Sequence, residues 1–150
     1  MIRGEGMILG CIADDLTGAT DLALMLSREG LRTLQSTGVP RQTIDLTTFD
    51  AVVIALKSRT IPVDEALNLS TAACEWLKAH GAQRFLFKYC STFDSTERGN
   101  IGPVAEALLD HLNSDFTIAC PAFPATGRSL YMGQLFVNGV PLAESPMRDH

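Results

Sequence analysis

The sequence predicts an α/β fold: a doubly wound, mainly parallel sheet with helices on both faces and a C-terminal β-hairpin extension. Short apolar runs of strand length alternate with longer segments whose apolar residues recur at helical spacing. Near the C-terminus the spacing changes, and Asn138-Gly139 stands between β-prone flanks, which is typical of a hairpin turn. The 150 residues match the usual size of one domain.

Five short runs predict the parallel strands, and those at residues 7–13 and 51–56 are the most continuously apolar. Continuous runs without polar alternation are typical of strands that are covered on both faces. We place these strands at residues 7–13, 31–37, 51–56, 84–90 and 116–120, and we place the hairpin within residues 131–142.

Three segments between the strands predict helices. The first covers residues 16–28 and ends before Gly30. The second begins within residues 61–64, runs to about His80 and ends before Gly81, and the third covers residues 101–112. Because each helix connects two strands, the crossover rule favours parallel pairing.

Composition excludes several classes of function. Twelve lysines and arginines stand against 17 acids, with a pI of about 5.1, so we expect no nucleic-acid partner. No apolar stretch is long enough to span a membrane and no secretory segment is visible, so we expect a cytoplasmic protein without membrane contact. The four cysteines form no Cys-x-x-Cys pair and the three histidines have no matching ligand spacing, which predicts no metal site.

Polar residues follow most of the predicted strands, at the edge where open parallel sheets bind ligands. These residues are Asp14, Asp15 and Thr17 after the first strand; Lys57, Ser58 and Arg59 after the third; Lys88, Ser91, Asp94 and Ser95 at the end of the fourth; and Gly127 and Arg128 after the fifth. The set contains both signs of charge and several hydroxyls, which favours a binding site.

The acid pair Asp14-Asp15 argues against a phosphate loop at the first strand. Anions repel carboxylates, and neither Gly-x-Gly-x-x-Gly nor a loop ending in Gly-Lys-Ser/Thr is present. Two carboxylates can bind vicinal hydroxyls, hold a divalent cation or act as a base. The alternative is structural: Asp15 caps the following helix and Asp14 is solvated.

The nearby cations Lys57, Arg59 and Lys88 can neutralise the acids or bind a substrate carboxylate, although a structural ion pair is the alternative. Asn100 opens a helix whose free amides could face an anion, and it could equally be a simple cap. Arg128 could bind an anion or lie on the surface. Together the residues predict a domain that binds a small, polyhydroxylated, anionic ligand.

Five blocks of sequence resemble the four-carbon acid sugar kinase family, and more closely its 3-oxo-tetronate kinase branch. The blocks occur in the family's order and cover most of the chain. They are IADDLTGATD at residues 12–21, LKSRTIP at 56–62, KYCSTFDSTERGNIG at 88–102, PAFPATGRS at 121–129 and NGVPLAESPMRDH at 138–150.

The resemblance implies an ATP-dependent phosphotransferase that converts a four-carbon sugar acid, a 3-oxo-tetronate, to its 4-phosphate. It further implies that residues 1–150 are the N-terminal substrate-binding domain, and that a C-terminal domain absent from this chain holds ATP and Mg²⁺. We therefore expect a fragment or a truncated product that is inactive by itself.

The resemblance also implies roles for individual residues. Asp14 and Asp15 match the family's acidic pair and are expected to contact substrate hydroxyls, with Asp15 as the candidate base. The ATP domain could supply the base instead. The basic loop (Lys57, Ser58 and Arg59) and the polar loop (Lys88, Ser91, Asp94 and Ser95) are expected to receive the carboxylate and the other hydroxyls. Gly127 and Arg128 match the block after the fifth strand and, with Thr17, complete the expected substrate-binding residues.

Two other classes of function remain as alternatives. A non-catalytic sugar-acid-binding or sensor module would keep the ligand site without the transfer reaction. Nucleic-acid processing is disfavoured, because the chain is acidic and lacks interleaved aromatic and basic residues. The hairpin at residues 131–142 is a candidate contact surface for a homo-oligomer.

Overall fold

The main sheet has four parallel strands, which are followed along the chain by a small antiparallel sheet. A computed structural model describes residues 7–93 and 96–149. The main sheet has the spatial order β2-β3-β1-β4, and none of the helices in these ranges is long and apolar enough to cross a membrane. The elements are β1 (Leu9–Ala13), α1 (Leu16–Arg28), β2 (Thr33–Thr37), β3 (Ala51–Ala55), α2 (Val63–Ala79), β4 (Arg84–Lys88) and α3 (Ile101–Leu112).

Helices cover both faces of the main sheet, which explains why the central strands β1 and β3 are apolar throughout. Successive strand residues point to opposite faces. Cys11 and Val53 pack with α1 on one face. Ile12, Val52 and Ile54 pack with α2 and α3 on the other. The predicted fold class is confirmed.

The strand order opens a crevice at the carboxyl edge of the sheet. Ala13 at the end of β1 is aligned with Ala55 of β3 and with Lys88 of β4, so the three strands end at one level. The chain leaves β1 towards α1 on one face and leaves β3 towards α2 on the other. Ligands of doubly wound sheets bind where neighbouring strands diverge in this way.

Most predicted elements are confirmed, with shifts of a few residues at their ends. The helices α1 and α3 have the predicted bounds, and α2 covers Val63–Ala79. The first four strands lie within the predicted runs, each five residues long.

The fifth predicted strand, at residues 116–120, is wrong. The segment has no regular secondary structure and pairs with no described strand, and Phe116 and Ile118 are 73% and 76% exposed. A strand needs a neighbouring backbone. The outer edge of β4 instead faces a cavity of about 760 Å³, and residues 117–120 lie in the wall of this cavity.

The predicted hairpin is confirmed and extended by one strand. Antiparallel strands β5 (Arg128–Tyr131), β6 (Gln134–Val137) and β7 (Val140–Pro141) form the second sheet. Asn138 and Gly139 connect β6 to β7 with φ of 51° and 80°, as two-residue hairpin turns require. Met132 and Gly133 form a second such turn between β5 and β6, with φ of 47° and 77°.

The cysteines differ in burial, which predicts their order of reactivity. Cys11 and Cys74 are buried, and burial raises the pKa of Cys11 to about 12 and raises that of Cys74. Cys120 is exposed. Because the thiolate is the reactive form, iodoacetamide at pH 8 should alkylate Cys120 first and reach Cys11 only after denaturation, as followed by mass spectrometry. A Cys120→Ser variant should lose the fast reaction, and rapid labelling of Cys11 in the folded chain would contradict the structure.

Candidate functional site

Asp14 is buried at the carboxyl end of β1 and is bound by Arg59. Its side chain is 5% exposed. Arg59 donates two hydrogen bonds to it, from Nε to Asp14 Oδ2 at 3.0 Å and from Nη2 to Asp14 Oδ1 at 2.7 Å. The backbone of Asp14 also joins both neighbouring strand ends, because its N–H donates to the Lys88 carbonyl and its carbonyl accepts from the Ser58 N–H. Both carboxylate oxygens of Asp14 are therefore engaged by the protein.

Asp15 shares the same guanidinium and also caps α1. Its Oδ1 accepts from the Gly18 N–H at 2.8 Å and lies 3.0 Å from Arg59 Nη2. The pKa of Arg59 is raised above its usual value, chiefly by the hydrogen bonds to Asp14 and also by the charges of both acids, against an opposing effect of burial. No described residue bonds Asp15 Oδ2, which leaves this oxygen available to a ligand.

Lys88 lies beside Asp15 without a carboxylate partner among residues 7–93 and 96–149. Its Nζ donates to the Tyr89 carbonyl at 2.6 Å. A Cβ atom on Gly18 would lie 2.6 Å from Asp15 Oδ1 and 3.4 Å from Lys88 Nζ. The carboxylate and the ammonium group therefore lie on the same side of the sheet edge, and Gly18 provides the space for both.

The cavity of about 760 Å³ opens next to this group. Its lining residues include Lys88, Ser91 and Asp21, and most of its wall is apolar. Neither Asp15 nor Gly18 is among its lining residues, so Lys88 is the residue that the cavity shares with the group around Gly18.

Asn100 holds the loop that carries Arg59. It is buried, and its Nδ2 donates to the carbonyls of Ser58 at 2.7 Å and Ile61 at 2.9 Å, with a longer contact to the Arg59 carbonyl at 3.3 Å. Its side chain makes no capping hydrogen bond to α3, although it occupies the N-cap position. Asn100 therefore fixes the β3–α2 loop against α3.

From the sequence, Asn100 was expected to open an anion-facing helix or to cap it, and its role in holding the Arg59 loop was not predicted. No role was predicted for Gly18. Gly18 could have been noticed because it lies in the first turn of a predicted helix, where an alanine would make the helix more stable than a glycine does. The signal for Asn100 was weaker, because an asparagine before a helix usually indicates a cap.

The other predicted residues are more dispersed. Lys57 and Thr17 are exposed, the Ser58 side chain is buried, and Ser91 lies in the cavity wall. Asp94 and Ser95 lie outside the described residues.

Gly127 and Arg128 lie at the start of the second sheet. Arg128 donates to the Thr126 carbonyl and to Met147 Sδ, and none of its described hydrogen bonds reaches the acid pair. The structure therefore brings together Asp14, Asp15, Arg59 and Lys88, whereas the roles of Gly127 and Arg128 stay predictions.

The acid pair does not suit Mg²⁺ in this arrangement. Arg59 occupies both oxygens of Asp14 and one oxygen of Asp15. Among the residues that the structure describes, no group of three or more His, Cys, Asp or Glu side chains could hold a metal ion.

Residues 9–150 match the family described as the sugar-binding N-terminal domain. The chain belongs to this family. The domain is 61% identical over 143 residues to the 3-oxo-tetronate kinase of Burkholderia multivorans, covering 95% of this chain and 33% of that protein. It is also 61% identical over 145 residues to the 3-oxo-tetronate kinase of Cupriavidus necator, covering 95% and 34%. The chain thus spans about a third of the length of these curated relatives.

Solved structures share the fold of the domain. A crystal structure of a Haemophilus influenzae protein is 55% identical with a TM-score of 0.89, covering 94% of this chain and 34% of that chain. A Bordetella bronchiseptica protein, a domain-swapped dimer with bound citrate, is 32% identical with a TM-score of 0.78, covering 93% and 36%. A Salmonella typhimurium structure with a provisional tRNA synthase name is 53% identical with a TM-score of 0.92, covering 97% and 35%.

The shared guanidinium predicts a strong dependence of stability on Arg59. In Arg59→Gln, Asp14 would keep a buried charge without its partner, so we expect the free energy of unfolding to fall by about 3 kcal/mol in urea denaturation. The double variant Asp14→Asn, Arg59→Gln should lose less than the sum of the two single variants, because the buried charge is gone.

A matched control is Arg148→Gln, which removes an exposed pair with Asp149. It should leave the urea midpoint unchanged. Strict additivity of the Asp14 and Arg59 variants would contradict the pairing.

Proposed function

We propose that the chain is the substrate-binding part of an ATP-dependent kinase that phosphorylates a four-carbon sugar acid, converting 3-oxo-tetronate to its 4-phosphate. The observation that carries the proposal is the juxtaposition of Asp15 and Lys88 around Gly18 at the carboxyl edge of the sheet. An acceptor for hydroxyls and a cation for a carboxylate thereby lie close enough together to contact one small ligand. The names of the relatives supply the reaction and the substrate.

In this proposal Lys88 binds the substrate carboxylate and Asp15 Oδ2 accepts a hydrogen bond from a substrate hydroxyl. Charge-assisted hydrogen bonds of this kind are stronger than neutral ones. Asp14 acts indirectly, since it holds Arg59, and Arg59 holds Asp15. Ser91, which follows the end of β4, bonds another hydroxyl in this proposal.

Asp15 is also the proposed base. It would take the proton of the terminal hydroxyl as that oxygen attacks the γ-phosphorus of ATP and ADP departs. Positioning contributes most of the catalysis in phosphoryl transfer, and the capping bond from Gly18 and the ion pair with Arg59 fix Asp15 Oδ1. Because both oxygens belong to one carboxylate, fixing Oδ1 also fixes the position of Oδ2.

We further propose that ATP and Mg²⁺ are held mainly by a C-terminal nucleotide-binding domain outside this chain, and that the whole enzyme is cytoplasmic. The greater length of the relatives and the poor fit of Mg²⁺ to the acid pair support this organisation. The citrate in the Bordetella relative, a hydroxylated carboxylic acid, supports the ligand class, and the dimer of that relative supports a homo-oligomer.

The Lys88→Met variant tests carboxylate recognition. We expect it to weaken the binding of a tetronate to the 150-residue chain by about 10- to 100-fold in calorimetric titration, because one charge-assisted contact is lost. Binding of erythritol, a four-carbon polyol without a carboxylate, should not change.

The matched control is Lys78→Met on the exposed face of α2, which should bind the tetronate normally. An unchanged tetronate affinity in a stably folded Lys88→Met chain would exclude Lys88 from the site.

The Asp15→Asn variant tests the proposed base. Asparagine caps helices about as well as aspartate, so α1 should remain stable. In a full-length chimera, in which this chain replaces the matched domain of the Burkholderia multivorans kinase, we expect Asp15→Asn to lower kcat for 3-oxo-tetronate by roughly 100-fold or more.

Turnover close to that of the parent chimera would remove Asp15 as the base. A parent chimera that binds the acid but transfers no phosphate would favour the binding-module alternative.

A further inference from the structure

The outer edge of β4 presents backbone groups that have no partner among the described residues. The Arg84 N–H donates to the Ile8 carbonyl, and the Lys88 carbonyl accepts from the Asp14 N–H. Because strand residues alternate, the backbone groups of Phe85 and Phe87 point away from β1, on the side where no further strand is paired. An edge of this kind is a template for another strand.

Helices from both faces of the sheet flank the space beside this edge. Leu22 and Met25 of α1 line one wall of the cavity, and Ile101 and Ala105 of α3 line the opposite wall. These helices are the same two layers that cover β1 and β3. The mostly apolar space between them contains no paired strand of residues 7–93 or 96–149. Backbone groups that face such a space are costly when they are unpaired.

The chain's own apolar segment forms the far wall and leaves the space open. Residues 117–120 line the cavity. The backbone of Cys120 lies beside the hydroxyl of Tyr89, and burial raises the pKa of that phenol. The Tyr89 side chain therefore lies between the end of β4 and residues 117–120, where two paired strands would have backbone hydrogen bonds.

We propose that this space, the β4 slot, receives an extended apolar strand from the remaining two thirds of the full-length polypeptide, which pairs with Phe85 and Phe87. The structures of longer relatives superpose on 94–97% of this chain, so the walls of the slot are compatible with a chain about three times as long. The inference rests on the proposed domain organisation and is independent of the substrate.

Hydrogen exchange tests the slot, with the 150-residue chain compared to the full-length Burkholderia chimera. In the chimera, the amides of Phe85 and Phe87 should exchange at least about tenfold more slowly than in the short chain. The amides of Leu86 and Lys88 face β1 and should be protected in both, which provides an internal control. Outward amides that exchange equally fast in both proteins, or that are already protected in the short chain, would overturn the proposal.

A charge placed in the slot gives a second test. Ala119 lines the cavity and is exposed. Ala119→Arg should speed exchange at Phe85 and Phe87 in the chimera and leave the unfolding midpoint of the short chain unchanged. Leu24→Arg, on the exposed side of α1, is the matched control and should change neither. Equal effects of both variants in the chimera would argue against a strand in the slot.

Tetronate binding by the short chain is measured separately. If the short chain binds no tetronate but the Phe85 and Phe87 amides are protected in the chimera, only the proposed substrate is rejected. If the short chain binds the tetronate but these amides are not protected in the chimera, only the slot is rejected.

Discussion

The site depends on one guanidinium that serves two carboxylates. Asp14 and Asp15 follow a buried strand directly, and two adjacent negative charges beside an apolar core are costly without a cation. Arg59 meets this need from the neighbouring strand end, bidentate on Asp14 and in contact with Asp15. The contact exists because β3 lies next to β1, although β2 comes between them in the chain. Asn100 then fixes the loop on which Arg59 lies.

Local patterns predicted those parts of the fold that local patterns determine. The helix at residues 16–28 has its apolar spacing, its cap and its closing glycine within one short stretch, and its bounds are as predicted. The run at residues 116–120 has an equally clear apolar pattern but forms no strand. Pairing depends on whether another backbone lies alongside, and a single segment contains no information about its neighbour.

The chemistry of the site was predictable to a similar extent. Charged residues at strand ends indicated Asp15, Arg59 and Lys88. Which of these charged groups pair with one another could not be predicted, because paired residues such as Asp14 and Arg59 are 45 positions apart in the chain. The two interpretations of Asp15 also prove compatible: one oxygen caps α1 and the other has no partner in the described structure. A choice between cap and ligand was therefore not needed.

Ligand recognition by Lys88 depends on whether β4 is paired on one side or on both sides. The inner side is fixed to β1 by a regular ladder, whereas the outer side faces the slot. Lys88 ends this strand, so the position of its ammonium group depends on how firmly β4 is held. A strand in the slot would hold β4 on both sides and reduce the entropy that a ligand must remove on binding. The domain alone should then recognise the same acids as the full-length protein, with a lower affinity that reflects a less ordered Lys88.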